Sequence, residues 1–459
     1  MKRITIVIFT FLLILTSKTT LFSQNTINLN IKNINEDKVM IAYYLGDKQY
    51  LLKNEITGSN NILLDKNGVG TFKSNKLKKG LLMLVFPPKN DHVNFLYDGK
   101  DLNISLDRNQ IEKSISFKNS KTNKLLNDYT LFISNLTIEK NKIFTQQQKG
   151  VNDEFISKEL KKLDLKYEKH FESLLKKNKN SLALKFLKAN KDIKVPSSLN
   201  SQKEQFNYYK KNYFNNLNFD DEWLIRTPFF YNKVMFYVDK LTPQDINSIT
   251  KSIDFIIGLS EKNPEMYKFL VTTFLNKYAK SKLMISENIY AHIVKEYYVS
   301  GKATWIEANQ LNKILVSYNE IKNSLIGEKV VDFSLINGKN KTYNLYSLKS
   351  DYKILYFWTP PFNQNNLKEL KKEIPNNVEL LSISKGFNIQ KRDDFLAKYP
   401  QKFPLSILKE EDKLKIFKSL HIKKNSTNPT IFLLDTTNKI IAKRISLEQC
   451  IDFINNLEK

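Results

Sequence analysis

The chain has 459 residues, of which 41% are hydrophobic and 12% aromatic, a composition typical of globular proteins and not of disordered segments. This length is enough for two to four domains that each bury a core. The formal charge is +26, but lysines spread along the whole chain supply most of it, and no nucleic-acid-binding motif accompanies them. We interpret the charge as a solvated surface and predict no specific nucleic-acid partner. Weak attraction to polyanions is the alternative.

Residues 1–23 have the pattern of a secretory signal peptide. Lys2 and Arg3 precede an apolar run over residues 4–15, and Ser23 marks the predicted cleavage position. The apolar run is shorter than the ~20 residues that cross a bilayer, so we predict no transmembrane anchor after cleavage. The segment contains no cysteine, which argues against a lipoprotein. We expect an exported protein of the periplasm or cell envelope.

One cysteine, Cys450, is present in the sequence, so no disulfide can form within the chain. It lies in an apolar stripe with Leu447, Ile451 and Ile454 at helical spacing. We predict a small buried hydrophobic residue at this position, and a reactive thiol is the alternative.

Three successive patterns divide the rest of the chain. Residues 24–112 contain short alternating apolar runs separated by turns such as Asn67-Gly68, which predicts an all-β, sandwich-like domain. Residues 113–325 have the helical period, with caps at Thr242-Pro243 and Asn263-Pro264, which predicts an all-α domain. In residues 326–459, predicted strands and helices alternate and end in a hairpin, which predicts an α/β sheet covered on both faces. The predicted fold class is therefore multidomain α+β.

The sequence Phe357-Trp358-Thr359-Pro360-Pro361-Phe362-Asn363-Gln364-Asn365 resembles the active-site strand and helix of thioredoxin-like (redoxin) proteins. In that family a Cys-x-x-Cys pair begins four residues after the tryptophan. Phe362 and Asn365 occupy those two positions here. The resemblance covers residues 326–459 and implies a thioredoxin-like fold for them.

Further resemblances involve the other parts of the chain. Asn428-Pro429-Thr430 resembles the Thr-Pro-Thr loop of the same family, whose proline is cis and packs opposite the active-site helix. Residues 44–50 and 80–88 resemble the β-sandwich module of exported thioredoxin-like proteins from Bacteroidetes-type bacteria. Residues 208–217 and 301–305 resemble the helical insert of those proteins.

The residues that would carry chemistry are missing. Thiol-disulfide exchange needs a thiolate and a second thiol that resolves the mixed disulfide, and neither Phe362 nor Asn365 supplies one. Tyr356 stands where many thioredoxins keep a buried carboxylate. The four histidines are scattered without metal-ligand spacing. We predict no catalytic residue, no metal site and no cofactor.

Three functions stay open. The first is a non-catalytic module that binds an extended peptide or an envelope protein by strand addition, through Trp358, Pro361, Phe362, Asn428 and Pro429. The second is a redoxin-type oxidoreductase that relies on Cys450 or on a partner's thiol. The third is a structural scaffold, in which Pro429 only shapes the fold. The patterns do not indicate an oligomeric state.

We predict that the purified protein does not accelerate the reduction of insulin disulfides by dithiothreitol, because no thiol lies at the tip of the predicted helix. Insulin turbidity, followed with and without the protein, measures this. Cys450→Ser should behave as wild type in the same assay. Turnover that depends on the external thiol and is lost in Cys450→Ser would favour the oxidoreductase instead.

Overall fold

The structure is a computed structural model that describes residues 25–178, 180–359, 374–398, 405–423, 426 and 428–457. The chain divides into two compact units, Met1–Lys233 and Val234–Lys459.

The first unit begins with nine strands in two sheets. They are β1 Thr26–Lys32, β2 Lys38–Leu45, β3 Lys48–Leu51, β4 Asn61–Leu63, β5 Val69–Lys73, β6 Gly80–Phe86, β7 Asp91–Tyr97, β8 Leu102–Asp107 and β9 Ser116–Lys118. One sheet has the order β5-β1-β8-β9, and the other has β3-β2-β6-β7 with β4 paired to β2. Both contribute to one core, which includes Ile27, Ile41, Phe72 and Leu84. The predicted all-β N-terminal region is therefore confirmed.

Helices follow in both units. They are α1 Ile111–Ser114, α2 Lys121–Gln148, α3 Asp153–Lys177, α4 Leu182–Asn190, α5 Gln202–Asn212, α6 Pro228–Lys240, α7 Ile246–Gly258, α8 Pro264–Lys280, α9 Ser286–Ile293 and α10 Ala308–Ile321. A π-helix, Val294–Val299, continues α9. The central helical region is confirmed. None of the helices within the described ranges is both long and apolar enough to cross a membrane.

Two predicted helix starts have different outcomes. The side chain of Asn263 caps α8 by accepting a hydrogen bond from the Met266 amide at 3.2 Å, as predicted. The cap of α7 is Asp245, and the prediction at Thr242 is wrong. Thr242 is buried and its hydroxyl donates to the Tyr237 carbonyl at 3.0 Å, so it closes the preceding helix instead of opening the next one.

The C-terminal part of the second unit is a seven-stranded mixed sheet. Its strands are β10 Ser334–Asn337, β11 Thr342–Asn344, β12 Tyr352–Trp358, β13 Val378–Ser384, β14 Leu405–Leu408, β15 Thr430–Leu434 and β16 Ile440–Lys443, in the spatial order β11-β10-β14-β13-β12-β15-β16. The parallel pairs are β12 with β13 and β13 with β14. Strand β14 is missing from the sequence-based element order. The predicted helix after Trp358 lies outside the described residues.

The sheet carries a core on each face. Leu355 and Phe357 belong to one cluster, while Ile354, Tyr356 and Trp358 belong to the other. Helices α11 Ile389–Lys398, α12 Glu410–Ser419 and α13 Leu447–Leu457 follow or separate the strands. Because β12 is covered on both sides, its sequence from Ile354 to Trp358 is continuously apolar instead of alternating. The predicted α/β region is confirmed, and with it the multidomain α+β fold class.

One polar network ties the helices of the second unit together. His292 Nε2 lies 2.9 and 3.0 Å from the two carboxylate oxygens of Asp254, and the Tyr297 hydroxyl donates to Asp254 at 2.7 Å. Burial raises the pKa of Asp254, but the hydrogen bonds from His292 and Tyr297 outweigh it and leave that pKa below its usual value. The charged carboxylate is therefore the form that the fold favours.

We expect Asp254→Asn to lower the free energy of unfolding at pH 7 by about 1 kcal/mol, because Asp254 is partly exposed and solvent screens its charge. A folded-state pKa below the unfolded value contributes stability above about pH 4, and this contribution is lost as the pH falls through the folded value. Urea unfolding at several pH values should show the deficit of the variant narrowing below about pH 4. The exposed Asp452→Asn serves as the control, and a deficit that stays constant with pH would contradict the assignment.

Candidate functional site

Trp358 is the last residue of β12, next to the strand that begins after Pro429. It is 3% exposed, and its indole Nε1 donates to the Ser382 hydroxyl at 2.9 Å. The rings of Phe387 and Phe395 lie 5.9 and 5.8 Å from the Trp358 ring, measured between centroids. The burial gives Trp358 a supporting position under the site, so its predicted contact with a ligand stays a prediction.

A buried lysine, absent from the sequence-based predictions, holds the loop that contains Pro429. Lys385 follows β13 and is 0% exposed. Its backbone amide donates to the Trp358 carbonyl at 2.8 Å. Its ammonium group donates to the backbone carbonyls of Ser426 at 2.7 Å and Asn428 at 3.3 Å. Burial lowers the pKa of Lys385. The loop is therefore fixed from below by a cation that solvent does not reach.

Thr359 supplies a second tie to the same loop. Its hydroxyl donates to the Ser426 carbonyl at 3.3 Å, so two groups near the carboxyl ends of adjacent strands bind one carbonyl. Thr359 follows β12 and Lys385 follows β13 in the parallel pair. Since such ends meet at one edge of a sheet, the two side chains converge on the loop before β15.

Asn428 and Pro429 form the exposed surface of this loop. Thr430 is paired with Phe357 in the antiparallel register of β12 and β15, so Pro429 and Trp358 are the next residues along two adjacent strands. The structure therefore brings these parts of the predicted site together. The cis X-Pro bond recorded among the described residues joins Pro87 to Pro88, so a cis bond at Pro429 is not confirmed. Pro361, Phe362 and Asn365 lie outside the described residues.

Cys450 has neither the exposure nor the low pKa that a reactive thiol requires. It is fully buried in the core on the same face of the sheet as Tyr356 and Trp358. Burial raises the pKa of its thiol to about 12, so almost no thiolate forms at neutral pH. Tyr356 lies in the same apolar cluster, and burial raises its pKa to about 12.

A polar cavity of about 380 Å³ adjoins Pro429 and Thr430 within the second unit. Lys443 and Arg444 line it at the end of β16, and both form ion pairs with Glu287 at the start of α9. The Lys443 ammonium also donates to the Ser324 carbonyl. Sequence reasoning missed this cluster, because its members come from distant parts of the chain.

Two of the four histidines lie close to a carboxylate. His292 belongs to the network with Asp254, and His421 Nδ1 lies 4.0 Å from a carboxylate oxygen of Glu320. Over the described part of the chain, no group of three or more histidine, cysteine, aspartate or glutamate residues is placed to hold a metal ion.

The strand order, the two covered faces and the position of the Pro429 loop define a thioredoxin-like domain. Residues 326–443 match the AhpC/TSA family, which identifies the C-terminal part of the chain as a thioredoxin-like redoxin domain. Residues 140–324 match a domain of unknown function, DUF5106. No curated protein matches the chain.

Solved structures from Bacteroides species are similar to parts of the chain. A thioredoxin-like protein from Bacteroides caccae is 16% identical, with a TM-score of 0.42, over 58% of this chain and 98% of its own. The thioredoxin domain of a thiol-disulfide oxidoreductase from Bacteroides vulgatus is 16% identical over 29% of this chain and 98% of its own, with a TM-score of 0.26. A protein of unknown function from Bacteroides fragilis is 25% identical over 28% of this chain and 99% of its own, with a TM-score of 0.24.

We predict that Lys385→Met loosens the loop that contains Pro429, because the carbonyls of Ser426 and Asn428 lose their charged donor. The free energy of unfolding should fall by about 1 kcal/mol. Hydrogen exchange measured on peptides that cover residues 426–431 should be roughly fivefold faster. Lys391→Met, at an exposed position on α11, is the matched control. Unchanged exchange in Lys385→Met would show that the loop does not depend on the ammonium group.

Proposed function

We propose that this chain is a non-catalytic thioredoxin-like protein of the cell envelope. It binds an extended peptide segment of a partner beside Asn428 and Pro429. The observation that carries the proposal is the loop itself, which is exposed on its outer surface and fixed from below by Lys385 and Thr359. A fixed, exposed backbone at the start of a strand suits strand addition, because little ordering is needed when a partner binds.

The absence of catalysis follows from the chemistry available to the chain. Its single cysteine is buried, and the pKa of the thiol is raised to about 12. The alternative of a redoxin-type oxidoreductase would require α13 to move away from the sheet, or a partner that brings its own thiol. The contacts of Cys450 support neither requirement, because this residue lies in the apolar core.

The predicted binding residues have different roles in this proposal. Asn428 and Pro429 are the exposed contacts, and Trp358 supports them from the core. Pro361 and Phe362 are included because of their position in the sequence, shortly after β12. An aromatic ring in place of a cysteine would offer apolar contact area to a peptide.

The cellular location is part of the proposal. The predicted signal peptide, residues 1–23, would deliver the chain to the periplasm or cell envelope, where an envelope protein is the expected partner. The lack of a cysteine in that segment argues against a lipid anchor.

An array of nine-residue peptides, probed with the purified protein, tests the proposed binding. Peptides that bind are then measured by fluorescence anisotropy. We expect Pro429→Ala and Phe362→Ala to weaken binding about fivefold to tenfold, because each removes part of the contact surface.

Leu414→Ala is the matched control, because Leu414 is 83% exposed on α12 and its truncation removes a similar apolar side chain elsewhere. Cys450→Ser should bind as wild type. Equal affinity of all variants would place any binding outside this loop. If no peptide binds and light scattering shows self-association that Pro429→Ala does not alter, the scaffold function is supported instead.

A further inference from the structure

The cavity beside Pro429 has a cationic lining. Lys423, Lys443 and Arg444 face one acidic residue, Glu287, around a space of about 380 Å³. Both Lys443 and Arg444 pair with Glu287. One carboxylate therefore balances two cations, and Lys423 adds a third positive charge at the exposed side.

Lys443 is the fixed part of this lining. It is almost fully buried, and its ammonium group is held by Glu287 and by the Ser324 carbonyl. Burial lowers the pKa of Lys443, and the charge of Glu287 opposes that effect. Because removing Glu287 would leave a buried charge uncompensated, Glu287 and Lys443 act mainly as a structural pair.

Arg444 is the part that can accept a ligand. Its side chain is 46% exposed, although its guanidinium also contacts Glu287. Its backbone has φ +60°, in the left-handed region that residues other than glycine rarely adopt. A guanidinium has five N–H donors in a planar fork that fits a carboxylate, so the contact with Glu287 leaves donors for a second acceptor.

We propose that this cavity binds the carboxylate of an acidic side chain in the extended peptide that lies beside Pro429, with Arg444 as its main contact. The proposal rests on the proposed function and adds a preference for acidic peptides. Glu287 already shows that Lys443 and Arg444 receive a carboxylate at this position. Pro429 and Thr430 border the same cavity, so a strand added along the loop would direct alternate side chains toward it.

The test uses labelled nine-residue peptides of alternating threonine and valine with an amidated C-terminus. In one set a single glutamate is moved through the positions, and in the matched set glutamine replaces it. For the wild-type protein we expect the best glutamate peptide to bind about tenfold tighter than its glutamine partner at about 20 mM salt. Salt at about 200 mM should reduce that ratio, because the site is partly exposed.

Arg444→Gln should remove the preference for glutamate over glutamine, while Arg444→Lys should retain part of it. Lys339→Gln, at an exposed turn, removes the same charge elsewhere and should keep the full preference. Lys423→Gln, an exposed cation of the same cavity, should reduce the preference and provides a second variant if Arg444→Gln does not fold.

The outcomes separate the two proposals. If both peptides bind equally and Pro429→Ala weakens both, the binding function holds and the acidic preference is overturned. If neither peptide binds and the array contains no binder, the binding function itself fails. A third set, with glutamine and a free C-terminal carboxylate, identifies the source of the charge. Tighter binding of that set alone would overturn the assignment to an acidic side chain.

Discussion

The buried ammonium group of Lys385 is the constraint on which the geometry around Pro429 depends. Moving an ammonium group out of water costs several kcal/mol unless hydrogen bonds replace its hydration. Here the acceptors are the carbonyls of Ser426 and Asn428, on the loop before β15. If the loop moved away, the ammonium group would lose both of these hydrogen bonds. The buried charge of Lys385 therefore helps to determine the backbone position of the exposed residues Asn428 and Pro429.

The only thiol of the chain is buried in its neutral form, whereas Lys385 is buried as a cation. Cys450 lies among apolar side chains, where burial stabilises the neutral form and raises the pKa to about 12. Its chemistry is suppressed by the same core that includes Tyr356 and Trp358. Polar side chains, those of Thr359 and Lys385, converge at the carboxyl ends of β12 and β13. The face of the sheet that carries Cys450 is apolar. At neutral pH the thiol of Cys450 therefore contributes almost no thiolate for disulfide exchange.

The sequence predicts those parts of the structure that depend on local pattern. The alternation of strands and helices predicts a sheet covered on both faces, and the apolar stripe around Cys450 predicts its burial; both features are present. Strand β14, Leu405–Leu408, is missed because four residues are too few to establish a strand period. Lys385 is missed because a lysine after a strand usually lies in water. Only the folded chain shows that two carbonyls from another segment surround it.

The helical residues of the second unit also shape the site, although the sequence changes pattern after residue 325. Residues 234–459 form one compact unit. Asn288 donates to the Ile326 carbonyl at 2.8 Å and accepts from the Ile326 amide at 3.1 Å, and Glu287 beside it compensates Lys443. A thioredoxin-like domain cut off at residue 326 would lose both partners of the Lys443 ammonium group, the Glu287 carboxylate and the Ser324 carbonyl. The helical region therefore contributes to the charge balance of the cavity, because Glu287 precedes the redoxin domain in the chain.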